Sequence, residues 1–381
     1  MPSPAEQLRY FRKQQTQMVE TIQQLVEIES PSDIKAAVDR LGAVLASRFA
    51  DIGGEVSFHP AEKAGNQLQV DFTASRSSKQ KPVLLLGHMD TVYPIGTISK
   101  MPCRVAKGRV WGPGVLDMKS GIALALHVMG AIMEWGLSRP VTLLLVSDEE
   151  VGSKSSRAIT EELAKTAAAV LVLEPAHGLH GAVKTARKGI GDYTIKVTGK
   201  AAHSGLDFEQ GQSAVLELAK QICEIEKLVD LKRGITLNVG KISGGTRVNV
   251  VPAEATALLD LRVATAADGV RLDRKLRGLK PFNRKCTINV SGEFNRPPME
   301  RTAGVAGLYE RAREIATRLG LNLKEAAVGG GSDGNFTAAL GIPTLDGLGG
   351  VGEGAHAEDE SVVIAELPRR AALLAGMIQS L

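Results

Sequence analysis

Lys81-Pro-Val-Leu-Leu-Leu-Gly-His-Met-Asp90 is an apolar run of strand length that is stopped by Gly87 and delivers His88 and Asp90 at once. A short continuous apolar run bounded in this way reads as a buried strand, and a strand end is a rigid place to hold a ligand. The two-residue spacing puts both polar side chains on one face of an extended chain. Asp90 can then accept the imidazole N–H that is not on a metal and so fix the tautomer of His88. An isolated His-x-Asp more often just ends a sheet at the surface, so the weight of the reading rests on whether the design recurs.

It recurs further along the chain. Pro140-Val-Thr-Leu-Leu-Leu-Val-Ser-Asp-Glu-Glu-Val-Gly152 is a second buried-strand run, ending in Asp148, Glu149 and Glu150. Three successive carboxylates are costly unless a cation or solvent screens them. Adjacent residues at a strand end point to different sides, so one carboxylate can ligate a metal while its neighbour handles protons. Ala168-Ala-Val-Leu-Val-Leu-Glu-Pro175 repeats the pattern with Glu174. In Trp111-Gly-Pro-Gly-Val-Leu-Asp-Met-Lys-Ser-Gly121 an irregular glycine-rich turn places Asp117 at the entrance of a helical segment, where a carboxylate could bridge two cations. Gly354-Ala-His-Ala-Glu358 adds His356. Each piece alone has a bland reading as a helix cap, a solvated acidic loop or a surface histidine. Chance rarely sets every acid at the same edge of one sheet.

Residues from about 30 to 185 alternate helices with these strands, the pattern of a mostly parallel α/β sheet. The character then changes. Gly189-Ile-Gly-Asp-Tyr-Thr-Ile-Lys-Val-Thr-Gly199 alternates like a half-exposed strand. A helix near 210–229, strands near 235–242 and 255–263, a helix near 267–279 and a strand near 287–291 follow, a β-α-β-β-α-β order that fits a ferredoxin-like unit. From about Arg301 the chain returns to helix, glycine loop and strand, and must rejoin the first domain if His356 is to meet His88. The expected organisation is a catalytic α/β domain over 1–187 and 298–381, with an inserted ferredoxin-like α+β lid or dimerisation domain over 188–297.

Composition narrows the function classes. The net charge of +4 over 381 residues, with no long basic tract, gives no footing for nucleic-acid binding. Cys103, Cys223 and Cys286 are scattered and odd in number, so they provide neither a disulfide framework nor a thiolate metal site and read as buried thiols in a reducing compartment. Met1–Tyr10 lacks an apolar signal core and leads into an amphipathic helix reaching about Glu29, and no run approaches transmembrane length. The expectation is a cytoplasmic enzyme without membrane contact, with an exported, processed form as the alternative.

The motifs Gly87-His-Met-Asp-Thr91, Gly114-Val-Leu-Asp-Met-Lys-Ser-Gly121, Ser147-Asp-Glu-Glu-Val-Gly152, Leu173-Glu-Pro175, Gly199-Lys-Ala-Ala-His-Ser-Gly205, Gly329-Gly-Gly-Ser-Asp333 and Gly354-Ala-His356 cover most of the chain. In this order the chain resembles the two-zinc peptidases and deacylases that include glutamate carboxypeptidase, acetylornithine deacetylase and succinyl-diaminopimelate desuccinylase, and looks most like glutamate carboxypeptidase. The resemblance implies two zinc ions per subunit, for which cobalt or manganese can substitute. It implies that Asp117 bridges them, that His88 and Glu174 complete one and Glu150 and His356 the other, and that Glu149 is the general base. Metal ions about 3.5–4 Å apart in such sites lower the pKa of a shared water. Asp90 and His203 join Glu149 as catalytic candidates. As a loop residue His203 would by default be solvent-exposed, but the resemblance implies that it reaches a neighbouring subunit's site and hydrogen-bonds the substrate carbonyl or oxyanion, which makes a homodimer through the inserted domain necessary. His59, His127, His177 and His180 read as helix-face, loop or surface residues.

A guanidinium holds a carboxylate by two parallel hydrogen bonds. Asn249, Arg262 and Arg296 match the glutamate-recognition positions of the family, while Arg247 lies near, and either Lys184 or Lys188 could supply a further contact. Arg262 also has Asp260 as a close partner in sequence. The implied reaction is amide hydrolysis that releases a C-terminal amino acid, glutamate above others, from a peptide or N-acyl amino acid. The alternatives are an N-acyl-amino-acid deacylase with the same chemistry, and a catalytically dead binding scaffold. The scaffold reading sits badly with a complete ligand set. The Gly-Gly-Gly-Ser-Asp-Gly loop is not a P-loop, because it lacks the Gly-Lys-Ser/Thr ending.

Overall fold

The structure is a computed structural model that describes residues 2–74 and 80–381. Two compact units emerge, one comprising Met1–Thr185, Arg301–Ala327 and Ser332–Leu381, the other Ala186–Glu300 with Val328–Gly331.

The first unit begins with two helices, Pro4–Lys13 and Gln15–Val26, where the sequence reads as one. Leu8, Phe11, Met18, Ile22 and Leu25 are all buried and keep a helical spacing across the break, so periodicity carries no sign of the kink at Gln14. The strands of this half are β1 (Glu55–His59), β2 (Gln67–Phe72), β3 (Val83–His88), β4 (Arg104–Ala106), β5 (Arg109–Trp111), β6 (Val141–Val146) and β7 (Ala169–Val172). β8 (Val183–Arg187) follows.

Both faces of β3 and β6 are covered. Val83, Leu85, Leu143 and Leu145 join the large core with Phe49, Phe72 and Ile122, whereas Leu84, Leu86, Leu144 and Val146 pack on the opposite face with Ala164 and Val170. Because successive side chains alternate faces, a strand buried on both sides must be apolar throughout, which is why these runs show no alternation. Each fully buried Leu or Val contributes about 1.5–3 kcal/mol. One segment corrects an expectation: Val115–Trp135 is 21 residues long and apolar enough to reach membrane-spanning length. It is mostly buried, and its helical part, Ser120–Trp135, is a central helix of this core.

The second unit holds β9 (Gly189–Thr198), β10 (Thr236–Gly244), β11 (Glu254–Val263) and β12 (Thr287–Arg296), in the order β10-β11-β9-β12 and antiparallel throughout. This is the ferredoxin-like arrangement. In β9, Tyr193, Ile195 and Val197 turn inward and Asp192, Thr194 and Lys196 outward. The inner face is covered by helices Ala214–Glu226 and Ala266–Arg277 through Leu218, Ile225, Leu272 and Leu276. Both helices start where a hydroxyl satisfies an orphan amide. Ser213 Oγ accepts from the Leu216 N–H at 3.2 Å and Thr265 Oγ1 from the Asp268 N–H at 3.2 Å.

After β13 (Glu325–Val328), which pairs with β8, the chain adds β14 (Thr344–Leu345), β15 (Gly352–Glu353) and β16 (Ser361–Val363) to the first unit. Its central sheet has the order β1-β2-β6-β3-β7-β14, with β6, β3, β7 and β14 mutually parallel and β1 and β2 antiparallel at one edge. A separate antiparallel sheet, β15-β16-β5-β4, pairs Ser361 with Trp111. Nothing in the local sequence announces this second sheet, whose strands are two or three residues long and come from positions some 250 residues apart.

Candidate metal centre

The spatial order β6-β3-β7 is what builds the site. His88 ends the middle strand, Glu149 and Glu150 follow β6 on one side, and Glu174 follows β7 on the other. All three strands are parallel, so their carboxyl ends open on the same edge, the usual ligand-binding edge of such sheets. The small sheet delivers the rest: Asp117 lies in the turn after β5 and His356 in the loop between β15 and β16.

These side chains converge. His88 Nε2 lies 3.0 Å from Asp117 Oδ1 and 3.6 Å from Glu174 Oε1. His356 Nε2 lies 3.4 Å from the other Asp117 oxygen, Oδ2, and 3.2 Å from Glu150 Oε1. Asp117 therefore stands between two imidazoles with one oxygen toward each. Ligand atoms of His88, Asp117 and Glu150 all fall within 4.8 Å of one another. Asp117 has φ −112° and ψ 91° inside an otherwise coiled turn, and its peptide bond to Met118 is cis. His356 sits at φ 65°, in the left-handed region where non-glycine residues are uncommon and concentrate at functional sites.

The electrostatics couple the two imidazoles to the carboxylates around them. Burial opposes protonation of His88, yet its hydrogen bonds to Asp117, Asp90 and Glu174 hold it well above the ordinary imidazole value. Bonds to Asp117 and Glu150 push His356 up to about 10. Burial likewise opposes ionisation of Asp117, but bonds from His356 and His88 keep it well below the usual carboxylate range. Glu150 moves the other way, raised by burial against the pull of His356, with the Asp117 charge adding to the rise. Three carboxylates and two imidazoles at these separations are a donor set for divalent cations of zinc type, and three carboxylates with two histidines leave positions open. The residues fit a metal pair.

Around the ligands, His88 Nδ1 faces the Asp90 carbonyl oxygen at 2.9 Å, with Asp90 Oδ1 at 3.5 Å. The fully buried Asp90 carboxylate mainly organises the β6 turn. It accepts from the Glu149 and Glu150 amides at 3.2 Å each, and from Ser32 Oγ at 2.6 Å. Of the two lysines left open by the sequence, Lys184 is buried in the first unit, with Nζ 3.7 Å from Glu174 Oε2 and 4.0 Å from Asp346 Oδ1. Lys188 belongs to the second unit, where its amide donates to Val328.

The remaining candidates also lie in the second unit. His203 is exposed and Nδ1 accepts from the Gly205 and Leu206 amides at 3.1 and 3.2 Å, which puts the ring proton on Nε2. Asn249 is its neighbour through a bond from the Ser204 amide to the Asn249 carbonyl. Arg262 and Arg296 flank Ile190 from the strands on either side of β9. Arg296 is buried, and Arg262 forks onto Asp260 at 2.9–3.1 Å.

Sequence reading missed Glu360 and Tyr93. Glu360 is fully buried behind Asp117 and accepts hydrogen bonds from the Gly114, Leu116 and Asp117 amides and from the Tyr93 hydroxyl. The last of three successive acids after His356, Glu358-Asp359-Glu360, just before the short Ser-Val-Val-Ile run, was the available signal.

A carboxylate and imidazole cluster at the carboxyl edge of a parallel sheet, in a chain that also carries a ferredoxin-like unit, is the arrangement of a metal-dependent hydrolase. The sequence profile of peptidase family M20/M25/M40 matches residues 84–380, and the chain belongs to that family; it is an enzyme, a metallopeptidase. It is 29% identical to carboxypeptidase G2 of Pseudomonas sp. (strain RS-16), over 97% of this chain and 90% of that one. The fold is shared with aminopeptidase PepT from Bacillus cereus ATCC 10987, at TM-score 0.80 and 22% identity over 96% of this chain and 98% of the other. It is shared too with Bacillus subtilis YXEP, described as a dinuclear metal binding peptidase, at TM-score 0.73 and 13% identity over 97% and 98%.

Proposed function

We propose that the protein is a zinc-dependent carboxypeptidase that hydrolyses the amide bond preceding a C-terminal amino acid, glutamate above others. The observation that carries the metal chemistry is the placement of Asp117 between His88 and His356, with Glu174 and Glu150 on the outer sides. His88, Asp117 and Glu174 would hold one ion and Asp117, Glu150 and His356 the other. Two divalent cations, when bound, supply Lewis acidity toward the scissile carbonyl and ease deprotonation of water.

The chain's own groups do the rest. Glu149, set by the hydrogen bond its backbone N–H donates to the Asp90 carboxylate, takes a proton from the attacking water and returns it to the departing amine nitrogen. As the carbonyl oxygen gains charge, His203 Nε2–H from a partner subunit donates to it. Both backbone amides on Nδ1 favour that tautomer, so the donor is preorganised. The substrate carboxylates are held by Asn249 and Arg296, with Arg262 available once its fork on Asp260 opens. The glutamate preference rests on the resemblance of the motifs to glutamate carboxypeptidase and on this polar set, and the likeness to carboxypeptidase G2 supports the carboxypeptidase reading.

Metal content and a substrate panel test the reading together. The purified protein is expected to carry two zinc equivalents and to release glutamate from acyl- and peptidyl-glutamate substrates faster than it releases other C-terminal residues. Turnover confined to acetyl- or succinyl-amines would make it a deacylase instead, and turnover of peptides from the amino end would overturn the carboxypeptidase assignment.

A further inference from the structure

From the contacts of Glu360 we infer that it is a positioning residue for the metal centre, a buried carboxylate that locks the Asp117 turn to the His356 loop so that both present their ligands to the same ion. The inference rests on reading the cluster as a metal site.

Four donors converge on this side chain. Oε1 accepts from the Leu116 amide at 2.7 Å and from the Asp117 amide at 2.9 Å. Oε2 accepts from the Gly114 amide at 2.8 Å and from Tyr93 Oη at 2.6 Å. A carboxylate offers about four lone-pair sites, so all are taken. Glu360 is therefore a holder of ligands and not a ligand itself. Successive backbone amides curled round one anion form a nest. This nest includes the amide of Asp117, whose Cα is thereby set relative to Glu360.

The other end of the connection is the His356 loop. Glu360 stands four residues beyond His356, Tyr93 Oη also lies 3.0 Å from the Ala357 carbonyl, and the Gly112 amide donates to the Glu360 carbonyl at 3.3 Å. The β5–β16 pairing begins at the next residue, Ser361 opposite Trp111. One carboxylate thus joins two loops that are distant in sequence, each bearing a ligand of the same ion. Without it, three N–H groups of the turn lose their acceptor, two of them buried, and the turn keeps only its own backbone bonds from Val115 to Gly112 and from Lys119 to Gly114.

Glu360→Gln keeps an oxygen for one pair of donors but turns an NH2 toward the other. The experiment measures Zn(II) and Co(II) affinity by competition with a chromophoric chelator, the Co(II) absorption spectrum, and thermal unfolding of the metal-free protein, for wild type, Glu360→Gln and Tyr93→Phe. Glu360→Gln is expected to weaken one of two metal equivalents by about 10- to 100-fold and to alter the Co(II) spectrum. Tyr93→Phe, which removes one donor and leaves the nest, is expected to shift the same affinity in the same direction by a few-fold, and it serves if Glu360→Gln does not fold. Wild-type affinity and spectrum in folded Glu360→Gln, or in Tyr93→Phe where that variant alone folds, would overturn the inference. A wild-type protein that binds neither ion would instead sink the metal reading beneath it.

Discussion

Glu149 and Glu150 are neighbours with different surroundings, and the difference separates their roles. Glu150 reaches His356, and burial raises its pKa. Glu149 shares the same turn, its amide fixed to the other oxygen of the Asp90 carboxylate. Asp90 thus fixes the backbone from which the two acids diverge, and in the proposed mechanism Glu149 handles the proton and Glu150 the metal. Glu149→Gln is isosteric and leaves the Asp90 bond, which uses only the backbone. It is expected to keep its metal content while kcat falls by about 10²- to 10⁴-fold. Paired metal analysis and steady-state kinetics check this, and near-wild-type turnover would remove Glu149 from proton transfer.

Among the elements, the end of β7 is tightly seated. A Cβ on Gly121, at the start of the helix Ser120–Trp135, would lie 2.1 Å from the Leu173 carbonyl oxygen, and one on Gly349 would lie 2.2 Å from the same atom. The residue before Glu174 is therefore gripped between two glycines, and neither backbone partner can retreat without moving the ligand. Gly121→Ala or Gly349→Ala is expected to cost about 1–3 kcal/mol by overpacking and to weaken metal binding. Gly307→Ala provides the contrast. That glycine lies in the helix Ala303–Arg318 with nothing within 4 Å of its added Cβ, so the change is expected to stabilise by about 0.4–1 kcal/mol. Urea unfolding of the three variants measures both signs, and equal effects would refute the packing account.

At the scale of the whole molecule the proposal of a homodimer turns on the second unit. β10 is an edge strand with an exposed Ile242, and Leu206 and Phe208 in the loop after His203 are exposed as well. Unpaired strand edges and apolar surface are features that association covers. Sedimentation is expected to give a dimer, with Ile242→Asp shifting it toward monomer and lowering kcat, because His203 would no longer reach a partner's site. A monomeric wild type with full activity would exclude any role for His203 across subunits.

Much of this was legible in the chain because it is local. Strand or helix follows from side-chain periodicity over a few residues. The apolar runs ending in His88, Glu150 and Glu174 therefore identified the parallel strands and the polar side chains at their ends together, and the alternation after Gly189 marked the second unit. What the sequence could not carry was who stands beside whom. That β3 lies between β6 and β7, that β5 pairs with β16 so that Asp117 meets His356, and that Glu360 fills the space behind them all depend on packing between segments up to some 250 residues apart. A strand's own pattern says which faces are buried, but its neighbour is chosen by the whole core. The sequence by itself determined the long elements and the donor chemistry; tertiary structure alone decided the short second sheet, the pairing of donors and the groups that hold them, because those contacts are long-range and have no periodicity to read.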